Sequence, residues 1–310
     1  MTHLHSLDGA PLSSLTFGTM QFGGRADADE SRAMYDAARA AGITHFDTAT
    51  GYTEGASETL LGQFVAGERD AVFVATKVGY EGGAGPANIT AQFEASLRRL
   101  GMEQVDLLYL HRWHDDMVLE ETFGTLARWQ DQGRIRHIGV SNYAAWQVMK
   151  AQGVAARLGT RIDVIQPMYN LVKRQAEVEI LPMALDQGLS VCPYSPLGGG
   201  LLTGKYAAGG SGRLTEDARY AARYAPGWMH EAAVGLAALA AQTGVAPATL
   251  AVAWAAAHPA RPAPIISARS LDQLRPSLAA ADFVLTPALH ARITALSPAP
   301  APATDRLEEA

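Results

Sequence analysis

VFVATKVGYEGGAGPANITAQFEASLRRLGMEQVDLLYLH, residues 72–111, holds one complete structural unit. Val72–Lys77 and Val105–His111 are short apolar runs, and between them Thr90–Leu100 carries its apolar residues at helical spacing. Two strand patterns joined by an amphipathic helix read as a parallel βα unit, since parallel neighbours need a crossover connection. Each run also stops on a polar residue, Lys77 or His111. In a parallel barrel that end of the strands is the face that carries chemistry.

The same alternation extends in both directions. Further strands are expected at Leu15–Gly18, Ile43–Asp47, Ile135–Val140, Val164–Pro167, Ser190–Tyr194 and Pro264–Ser267. Helices fit between them at Asp29–Ala41, Ser57–Val65, Leu119–Gln132, Ala144–Leu158, Arg174–Gln187, Glu231–Gln242 and Pro247–Ala257, with Leu271–Ala280 and Pro287–Leu296 after the last strand. Eight strands with following helices predict an α/β protein, a (β/α)8 TIM barrel spanning 1–296 as one domain. An opening β-hairpin is expected to pair Leu4–Leu7 with Leu12–Thr16 around Asp8-Gly9. Leu197–Trp228 is too long and glycine-rich for an ordinary connection, which makes it a functional loop after the seventh strand. The proline- and alanine-rich end, 297–310, is expected to be a flexible tail.

Composition narrows the function. At 310 residues and 48% hydrophobic the chain can bury a large core, and a net charge of -6 without a long basic run argues against a nucleic-acid partner. The beginning, MTHLHSLDGAPLSS, lacks the pattern of a signal peptide, and no apolar stretch is long enough for a membrane span. A cytoplasmic protein is the expectation; oligomeric state is not legible. The one cysteine, Cys192, reads as a small core residue.

The catalytic candidates stand at strand ends or just beyond: Asp47 and Tyr52 in HFDTATGY, Lys77, and His111. Protonating a carbonyl oxygen while a hydride reaches the carbon needs an acid, and tyrosine at its ordinary pKa near 10 is a poor one. A lysine ammonium about 4 Å away, at an effective dielectric of about 20, stabilises the phenolate by roughly 4 kcal/mol before desolvation opposes it. Lys77 is therefore expected to lower Tyr52 towards the working pH, Asp47 to hold Lys77, and a neutral His111 to orient the carbonyl. Each residue alone has a plainer reading as a turn cap, a loop aromatic, a strand-end lysine or a core histidine. Their convergence predicts a carbonyl reductase, with Trp113 expected to line the substrate pocket.

This tetrad resembles that of the aldo-keto reductases, and the resemblance covers nearly the whole chain. GTMQFG (18–23), GASETLLG (55–62), IGVSN (138–142), QPMYN (166–170), YSPLGGGLLTGKY (194–206) and ARSLDQL (268–274) follow in family order. The resemblance implies a nicotinamide cofactor across the top of the barrel, NADPH with NADH possible. By similarity, Ser141, Asn142 and Gln166 would hold the carboxamide, and Tyr194 would stack on the ring. Ser195, Leu197, Gly199 and Lys205 would wrap the pyrophosphate, with Gly18, Thr19 and Met20 on the floor. Ser267, Arg269, Gln273 and Ser277 would meet the adenosine end, Arg269 taking the 2'-phosphate for which its planar fork suits it. The family's frequent Pro-Gly is Ile266-Ser267 here, and its usual asparagine is Ser277. The chain has neither a Rossmann glycine motif after its first strand nor a Walker A run.

Three other readings compete. HRWHDD (111–116) could belong to a metal-dependent barrel hydrolase, although the other strand ends offer serine, asparagine, glutamine and tyrosine, and no metal is expected. Lys77 could form a Schiff base as in an aldolase, which leaves the cofactor-like motifs unexplained. A non-enzymatic, nucleotide-sensing subunit of a larger assembly would keep the same motifs.

Overall fold

The structure, a computed structural model, describes residues 4–207, 209–304, 306 and 308. Its strands are β1 (Thr16–Gly18), β2 (His45–Asp47), β3 (Phe73–Val78), β4 (Val105–Leu110), β5 (Ile135–Ser141), β6 (Val164–Gln166), β7 (Ser190–Val191) and β8 (Ile265–Ile266). The helices are α1 (Ala28–Ala40), α2 (Ala56–Val65), α3 (Pro86–Leu100), α4 (Leu119–Asp131), α5 (Ala145–Arg157), α6 (Ile180–Asp186), α7 (Arg213–Glu216), α8 (Ala218–Arg223), α9 (Gly227–Thr243), α10 (Pro247–Ala256), α11 (Leu271–Leu278) and α12 (Pro287–Thr294). All strand pairs are parallel, in the order β7-β6-β5-β4-β3-β2-β1-β8. The two ends of that order also meet: the N–H groups of Ala263 and Ile265 donate to the carbonyls of Val191 and Pro193, each at 2.8 Å. The expected (β/α)8 barrel is what the chain forms.

Strand alternation sorts the side chains into two cores. Phe17, Phe46, Val74, Leu108, Ile138, Ile165 and Ile266 point out to the helices and join the large core there. Phe73, Ala75, Leu107, Tyr109, Val164, Cys192 and Ile265 fill the barrel itself. Gly139 belongs to the inner layer because a Cβ there would come within 2.4 Å of the Tyr109 ring. Continuing each inward row by one step gives Gly18, Asp47, Lys77, His111, Ser141, Gln166, Tyr194 and Ser267. Those residues form the rim at the carboxyl ends of the strands.

Three local readings need correction. The opening hairpin is a single antiparallel bridge, His5 with Pro11, around Asp8-Gly9, where Gly9 has φ +85°. Pro11 has no N–H to extend a ladder, and the Ser13 N–H instead donates to Thr44 Oγ1 at 2.9 Å. Leu4, fully buried, packs with the inner core at the opposite end from the rim. The single helix expected over 174–187 is a 3-10 turn at Gln175–Glu177 followed by α6. Pro182 explains the break, since it is tolerated in a first helical turn but not inside a helix. The long loop after β7 is present and carries a 3-10 turn (Gly198–Thr203), α7 and α8; α9 then starts four residues before the expected Glu231. The expected tail falls partly outside the described residues.

Among the described residues no single helix is long and apolar enough to cross a membrane; the apolar α9 and α10 are bent apart by 104°.

One buried group below the rim titrates unusually. His45 is fully buried with Nδ1 3.1 Å from Thr16 Oγ1 and Nε2 unpartnered among the described residues. Burial, helped by the Lys77 charge, lowers its pKa to about 3. The unfolded chain then binds the proton first, so stability falls as pH drops below the ordinary histidine value near 6.5. In urea melts between pH 4.5 and 6, His45→Asn is expected to reduce the slope of stability against pH by about 1.4 kcal/mol per unit. An unchanged slope would mean that His45 already carries its proton in the folded protein.

Candidate active site

Lys77 is fully buried on β3, where alternation aims it at the barrel axis. Its Nζ pairs with Asp47 Oδ1, donates to the Thr48 carbonyl at 2.7 Å, and lies 3.4 Å from the Tyr52 hydroxyl. All three ammonium protons thus have a partner. Gln166 Nε2 donates to the other Asp47 oxygen at 2.9 Å, a bond that family resemblance, which assigned Gln166 only to the cofactor, did not indicate.

The titration of this group differs from the expectation in one respect. Burial works against the charged lysine, but Asp47 and Tyr52 outweigh it and hold Lys77 above its ordinary value. Burial pushes the Asp47 carboxyl up, with Lys77 and Gln166 opposing. Tyr52 is also raised, not lowered: burial is the largest cause, Lys77 opposes it, and Asp47 adds to it. The expected depression took the lysine at full strength, whereas burial of the phenol outweighs it and Asp47 offsets part of its charge. Lys77 as a Schiff-base nucleophile is disfavoured for the same reason, because the paired ammonium holds its proton.

His111 follows β4, its N–H bonded to the Val78 carbonyl at 2.8 Å. Its ring meets Tyr52 edge to face with centroids 6.1 Å apart, and Nδ1 is buried without a partner among the described residues. Burial, then the Lys77 and Arg112 charges, lowers it to about 3, so the imidazole is neutral in the physiological range. Tyr80 also meets the His111 ring, with centroids 4.9 Å apart, a contact that no sequence motif marks.

The loop bearing Tyr52 is strained and braced. Thr53 and Glu54 have φ of +47° and +56°, a region costly for side chains with a Cβ. Thr53 Oγ1 donates to the Phe22 carbonyl at 2.7 Å and accepts the Ser57 N–H at 3.0 Å. Ser57 Oγ lies 2.8 Å from Thr19 Oγ1 and 2.9 Å from Thr48 Oγ1. Buried Glu58 accepts from Thr76 Oγ1 at 2.7 Å and pairs with Arg99, which also reaches the Thr50 carbonyl at 2.9 Å. The serine and glutamate of GASETLLG were visible as a motif, yet only the structure assigns them this supporting work.

Across the mouth, Asn142, in the left-handed region at φ +59°, donates to the His111 carbonyl and to Ser141 Oγ, each at 3.0 Å. Ser141 Oγ in turn donates to the Gln166 carbonyl at 3.1 Å. The Tyr194 hydroxyl donates to Asn142 Oδ1 at 2.7 Å, joining the ends of β5 and β7. Ser195 has φ +60°, and its carbonyl accepts from Asn170 Nδ2 at 2.9 Å. After Leu197, Gly198, Gly199 and Gly200 have φ of +58°, +66° and +94°, conformations that glycine adopts freely. Lys205 lies against this run, where a Cβ on Gly200 would be 3.2 Å from its Cε. Gly18 and Thr19 are buried beside Met20, and a Cβ on Gly18 would strike Ile265 at 2.7 Å.

At the β8 end, Arg269 donates to Glu216 at 2.9 and 3.3 Å, and Arg25 reaches the same carboxylate at 2.5 Å. Glu216 lies in the long loop, so the loop is tied across the rim to the ends of β1 and β8. Ser267 Oγ and Ser277 Oγ are buried without partners among the described residues, while Gln273 is exposed. Trp113 packs edge-on against Tyr143 (5.3 Å) and Trp146 (5.6 Å) and donates its indole N–H to Asp115 at 2.9 Å. His114 Nε2 lies 2.6 Å from the Gly79 carbonyl, and among the described residues no three His, Cys, Asp or Glu are grouped to hold a metal ion.

Fold and site together define a parallel barrel with a buried acid–lysine pair and a tyrosine at the carboxyl rim. The profile of the Aldo/keto reductase family matches residues 14–298, and the chain belongs to that family. It is 33% identical to a probable voltage-gated potassium channel subunit beta of Oryza sativa subsp. japonica over 93% of this chain and 94% of that protein. It is 33% identical to the uncharacterized oxidoreductase YrpG of Bacillus subtilis (strain 168) over 94% of each. Human aflatoxin B1 aldehyde reductase member 2 is 39% identical over 63% of this chain and 56% of that protein. Membership and these relatives support an oxidoreductase of a family that generally uses a nicotinamide cofactor.

Proposed function

We propose that the protein reduces aldehydes or ketones to alcohols with NADPH. The observation that carries this reading is the contact of Lys77 Nζ with the Tyr52 hydroxyl at 3.4 Å, beside a neutral His111. Tyr52 gives its proton to the carbonyl oxygen, Lys77 stabilises the phenolate that remains, and His111 donates a hydrogen bond that orients the carbonyl. Asp47, held by Gln166, fixes the lysine. Trp113 walls the substrate side. When bound, the reduced nicotinamide would supply the hydride. Ser141, Asn142, Gln166 and Tyr194 would hold its ring end, and Gly18, Thr19 and Met20 would form its floor. Ser195, Leu197, Gly199 and Lys205 would hold the pyrophosphate.

The adenosine end would fall to Ser267, Arg269, Gln273 and Ser277. The unpartnered Ser267 and Ser277 hydroxyls fit a bound polar group, and Arg269 with Lys205 supplies positive charge. Arg269→Ala is expected to weaken NADPH binding by roughly ten- to more than a hundredfold while leaving NADH nearly unchanged, an effect of about 1.5 to 3 kcal/mol. Fluorescence titration with both cofactors checks it, and high salt should shrink the loss. Equal weakening of both would assign Arg269 to the loop tie with Glu216 instead.

The relatives named as channel beta subunits favour a second reading, a nucleotide-sensing subunit with little turnover. Stoichiometric binding of NADPH followed by a panel of reactive aldehydes separates the two. Rapid turnover supports the enzyme; tight binding without turnover supports the sensor.

A further inference from the structure

The aromatic row that begins at Tyr52 ends on a cation. Tyr52 meets His111, His111 meets Tyr80, and the Arg112 guanidinium sits 5.0 Å from the Tyr80 ring centroid. Tyr80 is 44% exposed, so this row opens to solvent at the mouth. No carboxylate among the described residues pairs with Arg112, although Glu81, Asp115 and Asp116 are near it in sequence. Asp115 is taken by the Trp113 indole at 2.9 Å. Other arginines around the rim are engaged: Arg25 and Arg269 share Glu216, Arg99 holds Glu58, and Arg219 holds Asp217. Arg223 is also without an ion pair among the described residues, stacked on Tyr220 at 5.1 Å, but it belongs to the loop after β7.

Position in the ring separates Arg112 from the groups suited to cofactor phosphates. With eight strands in order, the end of β4 stands opposite the end of β8, where Arg269 lies. A guanidinium resting on a tyrosine face keeps its edge free and its orientation restricted. That edge matches a carboxylate, which it can meet with two parallel hydrogen bonds.

Resting on the reductase reading above, we propose that Arg112 is a specificity-determining residue that seats a carboxylate at the far end of the carbonyl substrate. The preferred substrates are accordingly aldehydes that also carry a carboxylate, lying along Tyr80 with the carbonyl at Tyr52 and His111.

The test compares kcat/KM for 4-formylbenzoate and its methyl ester, and for 4-oxobutanoate and its methyl ester, in the wild type and in Arg112→Gln and Arg112→Lys. Dividing the acid-to-ester ratio of the wild type by that of Arg112→Gln cancels the intrinsic reactivity of the aldehydes. This quotient is expected to be about five- to thirtyfold for at least one pair, carried mainly by KM of the acid. Arg112→Lys should recover part of it, and high salt should reduce it. NADPH affinity, titrated separately, reports whether the variant remains folded and loaded. A quotient near one for both pairs overturns the assignment while leaving the reductase reading intact. Turnover of none of the four aldehydes, with NADPH bound, overturns the reductase reading and this inference with it.

Discussion

Tyr52→Phe is expected to lower kcat/KM for aldehyde reduction by about 10²- to 10⁴-fold, the range associated with losing a positioned general acid. NADPH affinity should hold within about fivefold, since a lost neutral hydrogen bond would cost no more than about 1 kcal/mol even if one were made. The substitution removes one oxygen and leaves the ring that meets His111 at 6.1 Å, so the mouth keeps its shape. Burial raises the Tyr52 hydroxyl above its ordinary value in the free protein. It therefore keeps its proton throughout neutral pH, and kcat/KM should stay level into the alkaline range, falling only above about pH 10. His111 adds no acid limb between pH 5 and 7, because its value is lowered to about 3. Measured pH profiles of kcat/KM check both statements. A limb near 6.5 would mean that His111 is a charged participant, and near-normal turnover of the phenylalanine variant would remove Tyr52 from the acid role.

The barrel was legible because its signals are local and repeated. Val72–Lys77 and Val105–His111 are apolar on both faces, as buried parallel strands are, and the intervening helix carries its own period. The rim followed from the same alternation: the last inward residue of each strand is read directly from the sequence. Less legible were features set by long-range packing or by missing hydrogen-bond donors. Pro11 shortens the hairpin and Pro182 splits a helix that an apolar pattern alone would run together. The Glu58–Arg99–Thr50 brace joins residues 41 and 49 positions apart, and no spacing rule links them. The direction of the Tyr52 shift was beyond a pairwise estimate, since it depends on the depth of burial and on Asp47 neutralising the lysine.

Lys77→Met is expected to act on stability as well as turnover, and the two effects can be separated. Removing the ammonium leaves Asp47, 2% exposed, with Gln166 as its remaining side-chain partner. Breaking a buried pair from one side typically costs about 3–5 kcal/mol, because the other charge stays desolvated. The carboxyl can avoid part of that cost by holding a proton, which raises its folded-state value further. The folded variant then binds more protons than the unfolded chain, so the loss of stability grows as pH rises above the ordinary carboxylate value near 4. Urea melts at pH 5 and pH 8 should show the larger deficit at pH 8. Lys77→Met combined with Asp47→Asn removes the unpaired charge and should recover most of the stability at pH 8. It should recover none of the turnover, because the phenolate left by proton transfer still lacks its cation. A double variant that regains activity would show that the pair serves only the fold; a single variant as stable as the wild type at pH 8 would show that Asp47 reaches water or another cation.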